Sequence, residues 1–320
     1  MKKFKKIMSA TLASCMILST LAINAAAANI DVNPHDYSAE QIFPDEPSLS
    51  HEELVKSISN DPNKMVINEY DLLLQEKEAA RVTLANPQSS AEALEEAKSI
   101  IKFNPIKEVY TLQAQTDNAL RKSGFSDTQI QNIRVFDGTV DTLRGAFANL
   151  EISATNKCTK NASGYWAKVA MSFYWDGSPI VQKRDAMVAS ASTGFMAEQV
   201  ADTKAHVNYV ASYNSSYKKT VNFSGKDMVI NPFGNGNIAG FGFDFDQGTY
   251  YAVSGTAVLV FLSPNTNRVS LSFGYGHASA QITPSVGISF ANDGLSVGLS
   301  FGLSETYKVV GKAFPAQTIS

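Results

Sequence analysis

The feature that most constrains this chain is a change of hydrophobic period near Asn149. Beyond it, apolar residues recur at every second position. In LSVGLSFGLSE, residues 295–305, Leu295, Val297, Leu299, Phe301 and Leu303 alternate with Ser296, Gly298, Ser300, Gly302 and Ser304. Side chains along a strand point alternately to opposite faces, so this stretch has one apolar face and one nearly bare face. A sheet with one apolar face must bury it, and two such sheets facing each other satisfy that need most simply.

Strand patterns of this kind begin at Leu150, Ile152 and Ala154 and continue through Tyr165–Trp175. They recur in Ala186–Phe195, His206–Tyr213, Lys219–Phe223, Met228–Ile230 and Ile238–Phe245. The last four candidates are Tyr251–Leu262, Arg268–His277, Gln281–Phe290 and Leu295–Ser304, joined by short turns. A two-residue turn at Asn292-Asp293 sets Phe290 opposite Leu295 and Ile288 opposite Val297. Turns at Ala278-Ser279 and Ser263–Asn267 set Tyr275 opposite Ile282 and Phe261 opposite Val269. All three turns give one parity, which predicts a four-stranded antiparallel meander.

Upstream the period is helical. Ser50-His51-Glu52-Glu53 fits a capping box, with a serine oxygen for orphan amides and a carboxylate three residues on. Helical spacing covers Glu69–Leu84, Ser90–Ile101 and Ile106–Lys122, and Gly124 supplies a left-handed stop. Ser126-Asp127-Thr128-Gln129 caps a further helix that ends at Asp137-Gly138. Charge follows the same division: residues 29–146 carry a net −9 and residues 147–320 a net +2. Neither half has the basic stripe that nucleic acid requires. The expected fold class is therefore α+β: a small N-terminal helical region followed by an antiparallel β-sandwich ending in the meander.

The N-terminus reads as an export signal. Lys2, Lys3, Lys5 and Lys6 precede an uncharged core from Ile7 to Ile23, and Ala25–Ala28 provides small residues for cleavage after Ala28. Leu12-Ala13-Ser14-Cys15 resembles a lipobox and offers lipoprotein anchoring through Cys15 as an alternative. The expected organisation is a signal peptide at 1–28, an extended or disordered tether at 29–50, an acidic helical region at 51–146 and the β-domain at 147–320. Cys158 is the one cysteine after cleavage, so no intramolecular disulfide can form.

Candidate chemistry is sparse. No G-x-S-x-G, H-E-x-x-H or P-loop motif is present, and no motif implies a cofactor. Cys158 with His206 or His277 is the conceivable nucleophile and base, without a supporting elbow or oxyanion motif. Asp244 and Asp246, within Asp244-Phe245-Asp246-Gln247-Gly248, are the metal candidates, though a distal acidic ligand is lacking. Aromatic residues are the larger surplus. On Tyr165–Trp175, Trp166 and Tyr174 share one face, while Tyr165, Phe173 and Trp175 share the other. One set belongs to the core and the other is a candidate platform for a sugar or peptide.

Three roles follow. The first is an exported, non-enzymatic surface or extracellular interaction module whose partner is a glycan or a peptide or protein. The second is a membrane-active, pore-forming type of β-hairpin protein, because apolar and Ser/Gly faces also suit a lipid wall and a lumen. The third is a secreted hydrolase. Gly124-Phe125-Ser126-Asp127, Gln129-Ile130, Ile133 and Asp137-Gly138, followed by Tyr174-Trp175-Asp176, resemble a pattern in uncharacterised secreted proteins of Gram-positive Firmicutes. There a G-[FY]-S-[DE]-x-Q-I helical segment precedes a Trp-rich β domain. The resemblance implies export from such a bacterium and assigns no functional residue.

Overall fold

The computed structural model describes residues 41–43, 49–182, 184–213, 215, 218–230, 236–277, 288–292, 297–301 and 306–320. The expected signal peptide, Cys15, the expected cleavage site after Ala28 and most of the expected tether lie outside these residues.

Seven helices are described before the β region. They are α1 (His51–Asn60), α2 (Glu69–Ala85), α3 (Ala91–Lys102), α4 (Pro105–Gln113), α5 (Asp117–Lys122), α6 (Asp127–Val135) and α7 (Val140–Gly145). Their ends are set by the residues the sequence supplies. Ser50 and Ser126 both form capping boxes, with Glu53 and Gln129 respectively. The single helix expected over Ile106–Lys122 is two, because the Thr116 side chain accepts from Ala119 N and starts α5 afresh. Tyr70, Leu73, Val109, Leu120, Phe125, Ile130, Ile133, Phe136, Leu143 and Phe147 form the core of this unit.

The strands form two large antiparallel sheets. Sheet A contains β1 (Met65–Asn68), β2 (Asn149–Asn161), β3 (Gly164–Trp175), β5 (Met196–Glu198), β6 (Lys204–Val210), β7 (Lys218–Ser224) and β10 (Tyr251–Ser263). Its order is β1-β2-β3-β10-β6-β7, with β5 also paired to β10. Sheet B contains β4 (Arg184–Ala191), β8 (Val229–Ile230), β9 (Ile238–Asp244), β12 (Leu271–His277), β13 (Ile288–Asn292), β14 (Val297–Phe301) and β15 (Thr306–Ala313). Its order is β13-β14-β15-β12-β4-β9-β8, and β11 (Arg268–Val269) pairs with β16 (Gln317–Thr318) beside it.

The two sheets pack face to face, as the alternation requires. Phe173 of sheet A stacks on Phe243 of sheet B with ring centres 5.4 Å apart, and Tyr275 lies 4.8 Å from Phe173. Met171, Trp175, Leu259 and Phe261 complete one wall, and Met187, Phe241 and Phe273 the other. The fold class is thus α+β with an antiparallel sandwich.

Among the described residues the strands do not follow the meander order; the Ala278-Ser279 turn and the pairing with Ile282 lie outside them. β10 lies in sheet A between β3 and β6, so Phe261 faces Ala167 rather than Val269. β12 pairs with β4 and β15, and β15 separates it from β14. The reason is non-local. A strand of 8 residues after Glu305 inserts next to β12, where the turn argument had placed its sequence neighbour. The β13–β14 register is also displaced: Phe290 faces Leu299 and Ile288 faces Phe301. A slip of four positions is even and keeps parity, so Ser289 still pairs with a serine, Ser300.

The outer face of sheet A is partly covered. Helix α1 lies over β2, β3 and β10, with Leu54 and Ile58 fully buried. Beside it, Phe43 inserts among Trp166, Val200, Val258, Val260 and Leu262. Asp202 Oδ2 accepts from the amides of Ile42 (2.6 Å) and Phe43 (3.1 Å). The tether expected over 29–50 is therefore docked at Ile42 and Phe43. A buried phenyl ring and two amides on one carboxylate outweigh the local Pro-rich, acidic character.

Candidate functional site

The structure divides the β3 aromatic residues as alternation predicts, but presents neither set as an open platform. Phe173 and Trp175 are in the sandwich core, with Tyr165 half-buried against it. Trp166 is fully buried under Phe43. Its indole N–H donates to Asn161 Oδ1 at 2.8 Å. Tyr174 alone is half-buried at a concave surface.

That surface is a cleft of about 260 Å³, close to the lower bound of small-molecule sites. His51, Glu52 and Val55 of α1 form one wall, and Tyr174, Asp176 and Gly177 at the end of β3 form the floor. Tyr213, Ser215 and Lys218, around the start of β7, form the other wall, and Gly124 closes the end. Gly124 has φ +87°, and a Cβ there would meet the Tyr251 ring at 2.7 Å, so the position requires glycine. Tyr251 anchors this corner by donating its hydroxyl to the carbonyls of Lys122 and Ala211. Tyr213 N donates to Arg121 O at 3.0 Å, tying the β6–β7 connection to the helical unit.

The cleft carries mixed polarity. Lys218 Nζ donates to Glu52 across it. His51 Nδ1 lies 3.1 Å from Ser254 Oγ and its ring 6.2 Å from that of Tyr174. Burial lowers the His51 pKa, partly offset by Glu52. Asp176 accepts from Asn149 N and Asn149 Nδ2, both at 2.7 Å. Burial raises its pKa against those hydrogen bonds. Tyr174 is pushed up to about 12 by burial, then by the charges of Asp176 and Glu151.

Hydrolytic groups are not assembled among the described residues. The Cys158 thiol donates to Gln317 Oε1 at 3.5 Å, and burial pushes its pKa up. Cys158 faces Ala167 on the strand pair in which Trp175 faces Leu150. That separation is roughly 26 Å at about 3.3 Å per residue. His277 packs 5.2 Å from the Trp175 ring and so cannot serve Cys158. His206 Nε2 is 3.2 Å from Leu49 O, on the outer face of sheet A. The Ser254–His51 contact resembles a nucleophile and base, but Ser254 is fully buried and also binds Asn208 Nδ2 at 3.2 Å. Asp244 and Asp246 are exposed at a turn where Asp246 Oδ1 accepts from Gly248 N at 2.7 Å. No cluster of three metal-ligating side chains occurs among the described residues.

Sequence patterning located Tyr174 but missed His51, Glu52, Asp176, Tyr213 and Lys218 as a group. The available signal was the capping box at Ser50, which fixes where α1 begins and hence which side chains its first turn presents.

No family model matches the chain, and no curated protein matches it. Solved structures give distant likenesses. The collagen-binding subdomain of the Enterococcus faecalis surface protein ACE aligns over 52% of this chain and 94% of its own, at 7% identity and a TM-score of 0.24. A collagen-binding domain from a Staphylococcus aureus adhesin aligns over 50% and 95%, at 8% identity and a TM-score of 0.25. Clostridium perfringens delta-toxin aligns over 54% and 82%, at 9% identity and a TM-score of 0.17. Scores this low carry no argument about the function of this chain.

Proposed function

We propose that this protein is an exported, non-catalytic recognition module that binds the end of an extracellular glycan in the cleft between α1, β3 and the start of β7. The observation that carries this reading is the lining: two tyrosines, His51, Asp176, Ser215 and the Glu52–Lys218 pair around one small concavity. Flat rings with a few fixed hydrogen-bonding groups suit a polyhydroxylated ring that offers both C–H faces and hydroxyls. Export with cleavage after Ala28, from a Gram-positive bacterium, belongs to the same proposal, with anchoring through Cys15 as its variant. No helix among the described residues is long and apolar enough to cross a membrane. The test is a glycan array followed by calorimetry on the mature protein. Tyr174→Ala and Tyr213→Ala should each weaken binding about tenfold or more. Binding that survives both substitutions would remove the cleft from consideration.

A membrane-active role has one observation in its favour. The antiparallel β13–β14 pair at the edge of sheet B sets Ile288 opposite Phe301 and Phe290 opposite Leu299, with Ser289 opposite Ser300. The register thus keeps the sequence alternation in step across the two strands, the pattern a lipid-facing strand pair requires. Dye release from liposomes by micromolar protein would support it, and intact liposomes would remove it.

A further inference from the structure

Building on the recognition role above, we infer that the ligand of the cleft presents a protonated amine to Asp176, framed by Tyr174 and Tyr213, so that the glycan is an amino sugar. The argument is a charge balance around the cavity. Lys218, the one lysine or arginine lining it among the described residues, is committed to Glu52. Glu151, whose field reaches Tyr174, is held by Lys64 at 2.8 Å. The positive end of α1 also points here, but Ser50 Oγ accepts from Glu53 N and Glu53 Oε2 accepts from Ser50 N. Those amides leave little for an anion.

Asp176 is different. Its two oxygens receive only the neutral donors of Asn149, and no cation contacts it among the described residues. Each carboxylate oxygen keeps a further lone pair free to accept. A half-buried carboxylate without a counter-charge is costly, and a ligand cation relieves that cost. Tyrosine faces are negative and attract cations as well. The field at both hydroxyls agrees: burial raises the pKa of Tyr213, and the charges of Asp127 and Asp176 raise it further. A neutral sugar would use the rings and leave the Asp176 charge uncompensated.

The test compares a β-1,4-linked glucosamine tetramer with its fully N-acetylated counterpart by calorimetry at pH 6, where the amines are protonated. The glucosamine tetramer should bind about tenfold more tightly. Asp176→Asn, checked for folding by circular dichroism, should shrink that preference to about threefold or less. Lys218→Met frees Glu52 and should widen it, a second readout that does not disturb Asn149. Equal binding of the two tetramers, or preference for the acetylated one, overturns the amine inference while leaving glycan recognition standing. Binding of neither overturns the inference together with the glycan reading on which it rests.

Discussion

At the scale of single residues, the most consequential group outside the cleft is His277. It is fully buried, with Nδ1 2.8 Å from Asp185 Oδ1 and Nε2 3.8 Å from Glu69 Oε1. Tyr275 donates its hydroxyl to the other Asp185 oxygen. Burial alone would lower the His277 pKa, but the charges and hydrogen bonds of Asp185 and Glu69 prevail and raise it from 6.5 to about 10. The sign follows from linkage. The stabilisation is complete below the unfolded value of 6.5 and is lost as pH climbs through about 10. His277→Gln should cost ~3–5 kcal/mol at neutral pH, because it strands a buried carboxylate. Urea melts of both proteins at pH 6, 8 and 10 check this, and the gap should narrow toward pH 10. Glu198 is the second sensitive group. Burial raises its pKa from 4.5 to about 7, so the folded state favours its neutral form. Stability from this group is present below 4.5 and lost as pH rises through about 7. Glu198→Gln should therefore stabilise by ~1–2 kcal/mol at pH 8, after allowance for solvent screening, and change little at pH 4.

At the scale of elements, helix α1 and the short docked segment around Phe43 cover the centre of an otherwise open sheet face. Leu54→Ala should destabilise by ~2–5 kcal/mol, the usual cost of emptying a well-packed leucine site. Loss of α1 docking would be read as new proteolytic cuts between residues 50 and 60. Phe43→Ala should expose Trp166 to acrylamide quenching and leave the second tryptophan, Trp175, protected in the sandwich core. This layer marks the limit of what the sequence conveys. Alternation sorts Trp166 and Tyr174 from Phe173 and Trp175, because period two is imposed by strand geometry itself. It does not say which face is covered, because a segment as short as Ile42-Phe43 has no period to detect. Turn residues set parity but not neighbours: β15 reaches β12 from far along the chain, and nothing local announces the insertion. The cleft was legible only as Tyr174, because its other walls come from α1 and from the start of β7. Their meeting is a property of the packed sheet rather than of any motif.

At the scale of the whole molecule, the helical unit and the sandwich have separate apolar cores joined by buried polar contacts. Glu69, the first residue of α2, accepts from Ile180 N at 2.9 Å and Val181 N at 3.0 Å while facing His277. Gln129 donates to Ser178 O and accepts from Ser178 N, both at 2.9 Å. The Tyr251 hydroxyl donates to Lys122 O and the Tyr213 amide donates to Arg121 O across the same seam. Removing one such partner orphans buried donors, and each orphan costs ~1–3 kcal/mol. The seam is therefore strong enough to make the two units unfold together, although neither core extends into the other. Spectroscopy can separate them, because Trp166 and Trp175 are the only tryptophans and both lie on β3. Fluorescence then reports the sandwich, and circular dichroism at 222 nm reports mainly the helices. In the native protein the two urea transitions should coincide. Glu69→Ala leaves the amides of Ile180 and Val181 without their acceptor and removes a counter-charge from His277. It should lower overall stability by ~3–5 kcal/mol and move the helical transition to lower urea than the fluorescence transition. Transitions that stay superimposed in the variant would mean that the apolar contacts of Phe147 and Ile180, rather than Glu69, hold the two units together.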